Sequence, residues 1–534
     1  MLLAACVPAG DDDDSSGAPP SAPDGISFGP LIACEEPDEG LGAFTESAAA
    51  RGLDFAPEVT QAVFSYALSG VVATDLDADD DPDLIFGSLM DAPPVYRNDG
   101  AGGFERVPQD WAVEDKGRLV VRQAAVDLDD DGLPDLVLSG EGRIWSARNL
   151  GDLRFDAPRE LYTTGSVDRR VQGSTFGSMT WGDVDGDGDL DAVATSIFPR
   201  AETDDDDPAA ASHDLLLIND GDGDLTGTPL LPDVPKAMAV VAMFLDVDAD
   251  DDLDLLLASH RGPAASPTRM LIQQGVGDDG SPAFVDRAEE LGLATLLSPM
   301  GIDAVDLDGD GLLDLCMTDT GPVACYLAVG GGVFADVTTT IGLSTDQGRD
   351  WSGWGIDVVD LDNDGTLDAV AAGAPANLAQ GADPDHPDAL WEGVPGTGEF
   401  TLREGGPFAA DLAPNYGVAA ADFDRDGRLE VVIAGIDGPR LYAAGCASGA
   451  WTSVRLVGAS PNRGAVGAVV TVEAGGRTSV RSVQTVRGPS QGPAELHFGL
   501  GDAETIDRLK IDWPDGETTE YVEIDVRRRI TATR

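Results

Sequence analysis

The sequence predicts an all-β fold: a seven-bladed β-propeller followed by a small C-terminal β domain. Three observations predict it. An acidic segment recurs seven times along the 534 residues. Short runs of Val, Leu and Ile flank each copy, separated by turn chemistry, and no helix-length period of 3.6 residues appears. After residue 447 the acidic segments stop and apolar residues alternate with polar ones.

The copies read DLDADDDPDLIF from Asp75, DLDDDGLPDLVL from Asp127, DVDGDGDLDAVA from Asp183 and DVDADDDLDLLL from Asp246. They continue as DLDGDGLLDLCM from Asp306, DLDNDGTLDAVA from Asp360 and DFDRDGRLEVVI from Asp422. Their first aspartates lie 52, 56, 63, 60, 54 and 62 residues apart, the spacing of a repeat architecture. One strand runs into each acidic segment, as GVVAT at 70, and another leaves it, as DLIFGS at 83. A third precedes a glycine-rich turn in VYRNDGAGGF at 95, ARNLGDLRF at 147, LLINDGDGDL at 216 and YLAVGGGVF at 326, and a fourth starts at the closing Phe or Leu. Four antiparallel strands, seven times over, describe a propeller, which removes its sheet edges by closing radially.

The seventh repeat is short of a strand. After Glu430 only VVIAG and RLYAA read as propeller strands. GAFTESAAARGL at 42 resembles the outer-strand segment GVFADVTTTIGL at 332 but has no acidic segment before it, so an N-terminal strand is expected to complete blade seven. That exchange brings Cys34 near Cys446, while Cys316 and Cys325 flank a turn between neighbouring strands of blade five. Four cysteines allow three pairings. These two disulfides are the expectation, with free buried thiols as the alternative.

Numbered from its first Asp, each acidic loop has carboxylates at positions 1, 3, 5 and 9. Position 1 is Asp75, Asp127, Asp183, Asp246, Asp306, Asp360 and Asp422; position 3 is Asp77, Asp129, Asp185, Asp248, Asp308, Asp362 and Asp424. Position 5 is Asp79, Asp131, Asp187, Asp250, Asp310, Asp364 and Asp426; position 9 is Asp83, Asp135, Asp191, Asp254, Asp314, Asp368 and Glu430. Converging carboxylates repel unless a cation sits among them. Calcium suits the set because it takes six to eight oxygens in flexible geometry, whereas magnesium demands strict octahedral order. Up to seven ions are expected. Position 7, namely Asp81, Leu133, Asp189, Asp252, Leu312, Thr366 and Arg428, is expected to add a backbone carbonyl, and position 9 a two-oxygen contact. An EF-hand needs Glu at position 12 and flanking helices, and neither is present. A solvated acidic turn is the bland reading of one loop, and seven in register argue against it. Gly132, Gly188, Gly311, Gly365 and Gly427 hold position 6, but Asp80 and Asp251 replace glycine in loops one and four, where weaker binding is expected.

Ninety-seven acidic against 33 basic residues leave a net charge of −64, which disfavours nucleic acid and anionic lipid as partners. No apolar run reaches membrane-spanning length. LAAC, Leu3 to Cys6, resembles the lipobox at which bacterial lipoproteins are cleaved and acylated on cysteine, and residues 10 to 25 read as a flexible Asp, Ser, Gly and Pro spacer. Five residues are too few for the n- and h-regions of a leader, so the start as given reads as truncated or misplaced; a chance match is the alternative. Cys6 is the expected lipidation site of an outer-membrane or otherwise extracellular protein, and a lipid anchor its only membrane contact.

The repeats resemble the FG-GAP or VCBS type of integrin alpha-subunit propellers and many secreted bacterial proteins, across roughly residues 40 to 447. GWGIDVVDLDNDGTLDAV at 353 and FADVTTTIGL at 334 are similar to the cartilage acidic protein family, whose members follow the propeller with an ASPIC/UnbV domain. SVRLVGASPNRGAVGAVVTVEAGGRTSVRSV at 453, LHFGLG at 496 and WPDG at 513 resemble that domain. The division implied is a leader and linker over 1–25, the propeller over 26–447 and the last domain over 448–534. The segment QTVRGPSQGPAE at 484 is shorter than the Gly, Ser and Tyr run the family often carries there, so no role of that run is transferred.

No catalytic constellation is visible. His213, His260, His386 and His497 are not paired at metal-ligand spacing, and no phosphate-binding loop is present. His497 reads as a packing residue rather than a ligand, and Arg527 to Arg529 as an acid-paired strand end. Trp351 and Trp354 read as blade packing, or as exposed indoles gripping a glycan. The expected function is a non-catalytic, calcium-stabilised surface scaffold for a protein or glycan partner. The alternative is a carbohydrate-active or other hydrolase with a carboxylate pair on the propeller top.

Overall fold

The computed structural model describes residues 25–35, 37–38, 40–55, 70–88, 92–111, 120–140, 142–163, 176–196, 214–231, 239–260, 267–277, 280–345, 351–375 and 386–534. Cys6 lies outside them.

Repeats one to six each supply four antiparallel strands to one sheet, and the seventh supplies three. Blade one is Val71–Thr74, Asp83–Phe86, Val95–Asn98 and Phe104–Val107. The innermost strands of blades two to seven are Val120–Val126, Phe176–Gly182, Ala239–Leu245, Ile302–Val305, Trp351–Val359 and Asn415–Ala421. Inner strands such as Ala239–Leu245 bury every residue because a neighbouring blade covers each face, whereas the outermost Phe104–Val107 fully buries only Phe104. This is why Ala239–Leu245 reads as an unbroken apolar run.

Packing runs from blade to blade around the whole ring. Val72 shares a cluster with Ala125, Val126 with Trp181, and Val193 with Phe244. Met243 then packs with Ile302, Val305 with Val358, and Val359 with Val418. Ala419 and Ala421 of blade seven share a cluster with Val71 and Ala73 of blade one, so the ring closes on itself.

The seam is made as the sequence predicts. Thr45–Glu46 pairs with Gly438–Ala443 as the outer strand of blade seven, with Thr45 opposite Ala443. Cys34 is bonded to Cys446, and Cys316 to Cys325. Residue 26, placed by the sequence at the start of the propeller, lies instead in the C-terminal domain. Ile26–Phe28 pairs antiparallel with Arg528–Thr533, covering that strand's open edge.

In the C-terminal domain, Ala450–Val457 lies between Leu496–Gly501 and Arg528–Thr533 in one sheet. Val469–Ala474, Arg477–Ser482, Thr505–Asp512 and Thr518–Asp525 form the other, and Arg481 pairs with Val305, continuing blade five. Val454, Val470, Leu509, Ile511 and Ile530 fill the space between.

One segment of this domain enters the propeller axis. Ser490–Gln491 pairs in parallel with Val71–Thr74, and residues 484 to 491 reach the inner strand of all seven blades. Val71 N–H donates to Pro489 O at 3.1 Å. The Gln491 amide brackets Ala125, accepting from its N–H at 2.9 Å and donating to its carbonyl at 2.8 Å. Trp181 N–H donates to Thr485 Oγ1 at 3.2 Å, and Gln484 donates to Phe244 O at 3.4 Å. Ile302 N–H donates to Arg487 O at 3.3 Å, Arg487 Nη1 to Asp357 at 3.0 Å, and Val418 N–H to Ser490 Oγ at 2.8 Å.

Candidate metal centre

The seven acidic segments are the loops joining the first and second strands of each blade, and they share one geometry. The position 1 carboxylate turns inward and accepts the N–H of position 6 in every loop, from 2.7 Å at Asp360 to 3.2 Å at Asp246. The position 5 carboxylate accepts the N–H of position 7 in every loop, as Asp364 from Thr366 at 2.7 Å. Aspartate suits both tasks because its short arm reaches its own backbone a few residues on.

Position 6 is left-handed throughout, from φ 70° at Asp251 to 97° at Gly188. Asp80, at φ 72°, and Asp251 therefore adopt the conformation their glycine counterparts take freely. Position 4 is left-handed too, in Ala78, Asp130, Gly186, Ala249, Gly309, Asn363 and Arg425. That second reversal was not legible, because no single residue type marks the position.

Position 9 acts first as a strut. Asp83 accepts Leu76 N–H at 3.1 Å and Asn98 N–H at 2.9 Å, tying the start of the loop to the third strand. Asp191, Asp254, Asp314 and Asp368 repeat this double bond. The expected two-oxygen contact is thus shared with two backbone donors, although each carboxylate oxygen keeps a second lone pair. Glu430 accepts Phe423 N–H at 2.8 Å, and its Oε1 is buried without a partner.

Carboxylate oxygens from three acids come within 4.8 Å of one another in Asp75, Asp77 and Asp83, and again in Asp183, Asp185 and Asp191. The same holds for Asp127, Asp129 and Asp131, for Asp246, Asp248 and Asp250, and for Asp306, Asp308 and Asp314. At position 3, Asp77, Asp129, Asp248 and Asp424 each bury an Oδ1 that has no hydrogen-bond partner. A buried, unpaired carboxylate oxygen is costly, and a hard cation bound by oxygen ligands satisfies it. Burial pushes Asp83 up to about 8 and Asp135, Asp191, Asp254 and Asp314 up to about 7.

The loops differ in their neighbours. Arg97 pairs with Asp77 at 3.0 Å, Arg148 with Asp129 at 2.9 Å and with Asp131 at 3.0 Å, and Arg51 with Asp424 at 2.9 Å. Arg455 pairs with Asp75 at 3.5 Å. Among the described residues, no arginine pairs with the position 1, 3, 5 or 9 carboxylates of loops three to six.

Two kinds of supporting side-chain contact escaped the sequence reading. Asn98 Nδ2 donates to Pro82 O of its own loop and, at 2.9 Å, to Phe423 O of the preceding one; Asn149 and Asn219 do the same. The signal was the Asn shared by VYRNDG, ARNLGD and LLINDG. Arg428, fully buried, donates to the carbonyls of Leu361, Asp38, Gly40 and Gly445, fastening loop seven to the N-terminal segment.

A cavity of about 60 Å³ lies where the axis meets the C-terminal domain, bordered by Pro82 of loop one and Asp422 and Leu429 of loop seven. Asp303, Asp357, Arg481, Arg487, Ser453 and His497 line it. Asp303 and Asp357 both accept from Arg487, at 2.9 and 3.0 Å. His497 stacks on Trp451 and its Nε2 meets Asn363 Oδ1 at 2.8 Å; burial, with Arg481 nearby, pulls its pKa to about 3. Trp351 and Trp354 are buried against Trp391 and Tyr416, which is blade packing. Arg528 and Arg529 pair with Asp525 and Glu495.

The FG-GAP-like repeat family matches residues 127–194, 246–317 and 306–371, and the ASPIC and UnbV family matches 458–534. No curated protein matches the chain. Among solved structures it is similar to an Agrocybe aegerita lectin described as recognising non-reducing terminal N-acetylglucosamine, at 16% identity and TM-score 0.42 over 68% of this chain and 88% of that one. It is also similar to the V. cholerae biofilm matrix protein Bap1, at 13% identity and TM-score 0.32 over 88% of this chain and 65% of that one. The disulfides and the repeats suit an extracellular or surface protein, and among the described residues no helix is long and apolar enough to cross a membrane. With sheets, loops and C-terminal fold in their expected order, the chain belongs to the FG-GAP-like repeat proteins that carry an ASPIC and UnbV domain after the repeats.

Proposed function

We propose that the protein is a calcium-stabilised extracellular scaffold that binds a protein or glycan partner without catalysis. The observation that carries this reading is the convergence of carboxylates in loops one to five, joined in loops one, two and four by a buried, unpartnered oxygen at position 3. Calcium would be held by positions 1, 3, 5 and 9 with a position 7 carbonyl, one ion to each loop and up to seven in all. Its contribution is charge neutralisation that keeps the loops wrapped. Among the described carboxylates lining the axial cavity, Asp303 and Asp357 are engaged by Arg487, Glu495 is engaged by Arg529, and Asp422 is position 1 of loop seven, which supports binding over acid and base chemistry. Acylation at Cys6 would tether the scaffold to a membrane surface. Calorimetric titration of metal-stripped protein with calcium tests the metal reading, and a glycan array with a parallel pull-down, both on calcium-loaded protein, tests the partner. Absence of saturable calcium binding would overturn it.

A further inference from the structure

The C-terminal domain sits on the loop face of the propeller, and many of its contacts fall on two positions of the loops. Arg529 donates to Asp80 O at 3.1 Å in loop one, and Arg463 pairs with Asp130 at 2.7 Å in loop two. Pro461 lies so close to Gly188 of loop three that a Cβ there would approach it to 2.8 Å. Thr478 O faces Gly309 of loop five, and Arg477 donates to Gly365 O at 2.6 Å in loop six. The Trp451 indole covers Gly427 of loop seven, where a Cβ would lie 2.0 Å from the ring. Each of these residues is position 4 or 6, the two left-handed positions; the domain also reaches position 1, where Arg455 pairs with Asp75 and Gly499 lies against Asp360. Loop four alone has no such contact among the described residues.

Those two positions hold their place only while the loop is wrapped around its carboxylates. Positions 1, 3 and 5 repel one another without a cation, and unwrapping moves positions 4 and 6 with them. The same domain sends residues 484 to 491 into the axis, where they bond the inner strands without touching any loop carboxylate.

We propose that calcium occupancy of the loops and seating of the C-terminal domain, with its axial segment, are one coupled equilibrium: wrapped loops form the seat, and the seated domain tightens the loops. This rests on the calcium reading above. Coupling between two sites is reciprocal, so weakening the axial segment must weaken calcium binding at loops it does not touch.

The test uses the full chain. Hydrogen exchange is followed at the amides of Val71, Ile302 and Val418, which donate to the axial segment, with calcium and after metal stripping. Protection is expected to fall when calcium is removed. Calcium titration of the double variant Ser490→Ala, Gln491→Ala is expected to show affinity lower by about fivefold or more. A loop-four variant, Asp250→Asn, is expected to lose one ion while leaving the three amides protected. If the double variant does not fold, exchange in the native chain decides alone. Calcium binding with unchanged exchange, or with unchanged affinity in a folded double variant, would overturn the coupling while sparing the metal reading. Absence of calcium binding would overturn both.

Discussion

Arg487 and Asp357 meet on the propeller axis, Nη1 donating to Oδ1 at 3.0 Å, while the same nitrogen donates to Asp303 at 2.9 Å. Asp303 and Asp357 come from inner strands of blades five and six, and Arg487 from the C-terminal domain. Arg487 thus bonds two buried acids across three parts of the fold, and Arg481 adds a second positive charge beside them. Arg487→Met leaves both acids without their partner, and the expected loss is about 3–5 kcal/mol. Adding Asp303→Asn and Asp357→Asn should recover much of it, because the damage is uncompensated charge rather than lost volume. Denaturant unfolding of the variants checks both statements; equal losses with and without the asparagines would contradict this account.

Calcium removal is expected to lower the melting temperature, by more at pH 8 than at pH 6. Burial raises Asp83 to about 8 and Asp191 and Asp314 to about 7. Carboxyls raised in the fold contribute stability that is full below their unfolded value near 3.8 and is lost as pH climbs through 7 to 8. Calcium offsets that loss by favouring the ionised form, and protons compete with it as pH falls. Melting curves of metal-stripped and calcium-loaded protein across this range give the increment, which should shrink toward pH 6.

Much of this was legible in the sequence, and the reason is local. Positions 1, 5 and 9 of each loop act on backbone within the same repeat, so a carboxylate spacing such as that of Asp183 to Asp191 encodes its own geometry. Thr45–Glu46 was legible as a missing strand because it copies the segment before Ile341. What could not be read were contacts between distant segments. Gln491 brackets Ala125 across 366 residues, and Arg428 gathers carbonyls from three regions. Neither carries a periodic signal, and a buried arginine reads in sequence as a surface one.

Opening the Cys34 to Cys446 bond should loosen the seam of the ring. The bond closes 412 residues and holds the N-terminal segment beside blade seven, where Asp38 N–H donates to Cys446 O at 3.0 Å. Cys34→Ser with Cys446→Ser is expected to cost about 2–4 kcal/mol and to raise proteolytic cleavage near Thr45. The bond between Cys316 and Cys325 spans 9 residues within one hairpin already joined by strand pairing. Its removal should cost less, and the reverse ranking in thermal unfolding would contradict the seam argument.

Glycine at position 6 answers to two separate demands, which single substitutions can part. Asp251 holds φ 70° without a domain contact above it, so Asp251→Gly relieves backbone strain alone. The variant should gain up to about 1 kcal/mol and bind calcium more tightly at loop four. Gly427 has the same handedness at φ 89°, but the Trp451 ring fills the space a Cβ would need. Gly427→Ala therefore combines backbone strain of about 1–3 kcal/mol with displacement of the indole. Unfolding free energy and tryptophan emission measured together separate the two, since strain alone leaves the emission where it was and displacement of Trp451 shifts it to the red.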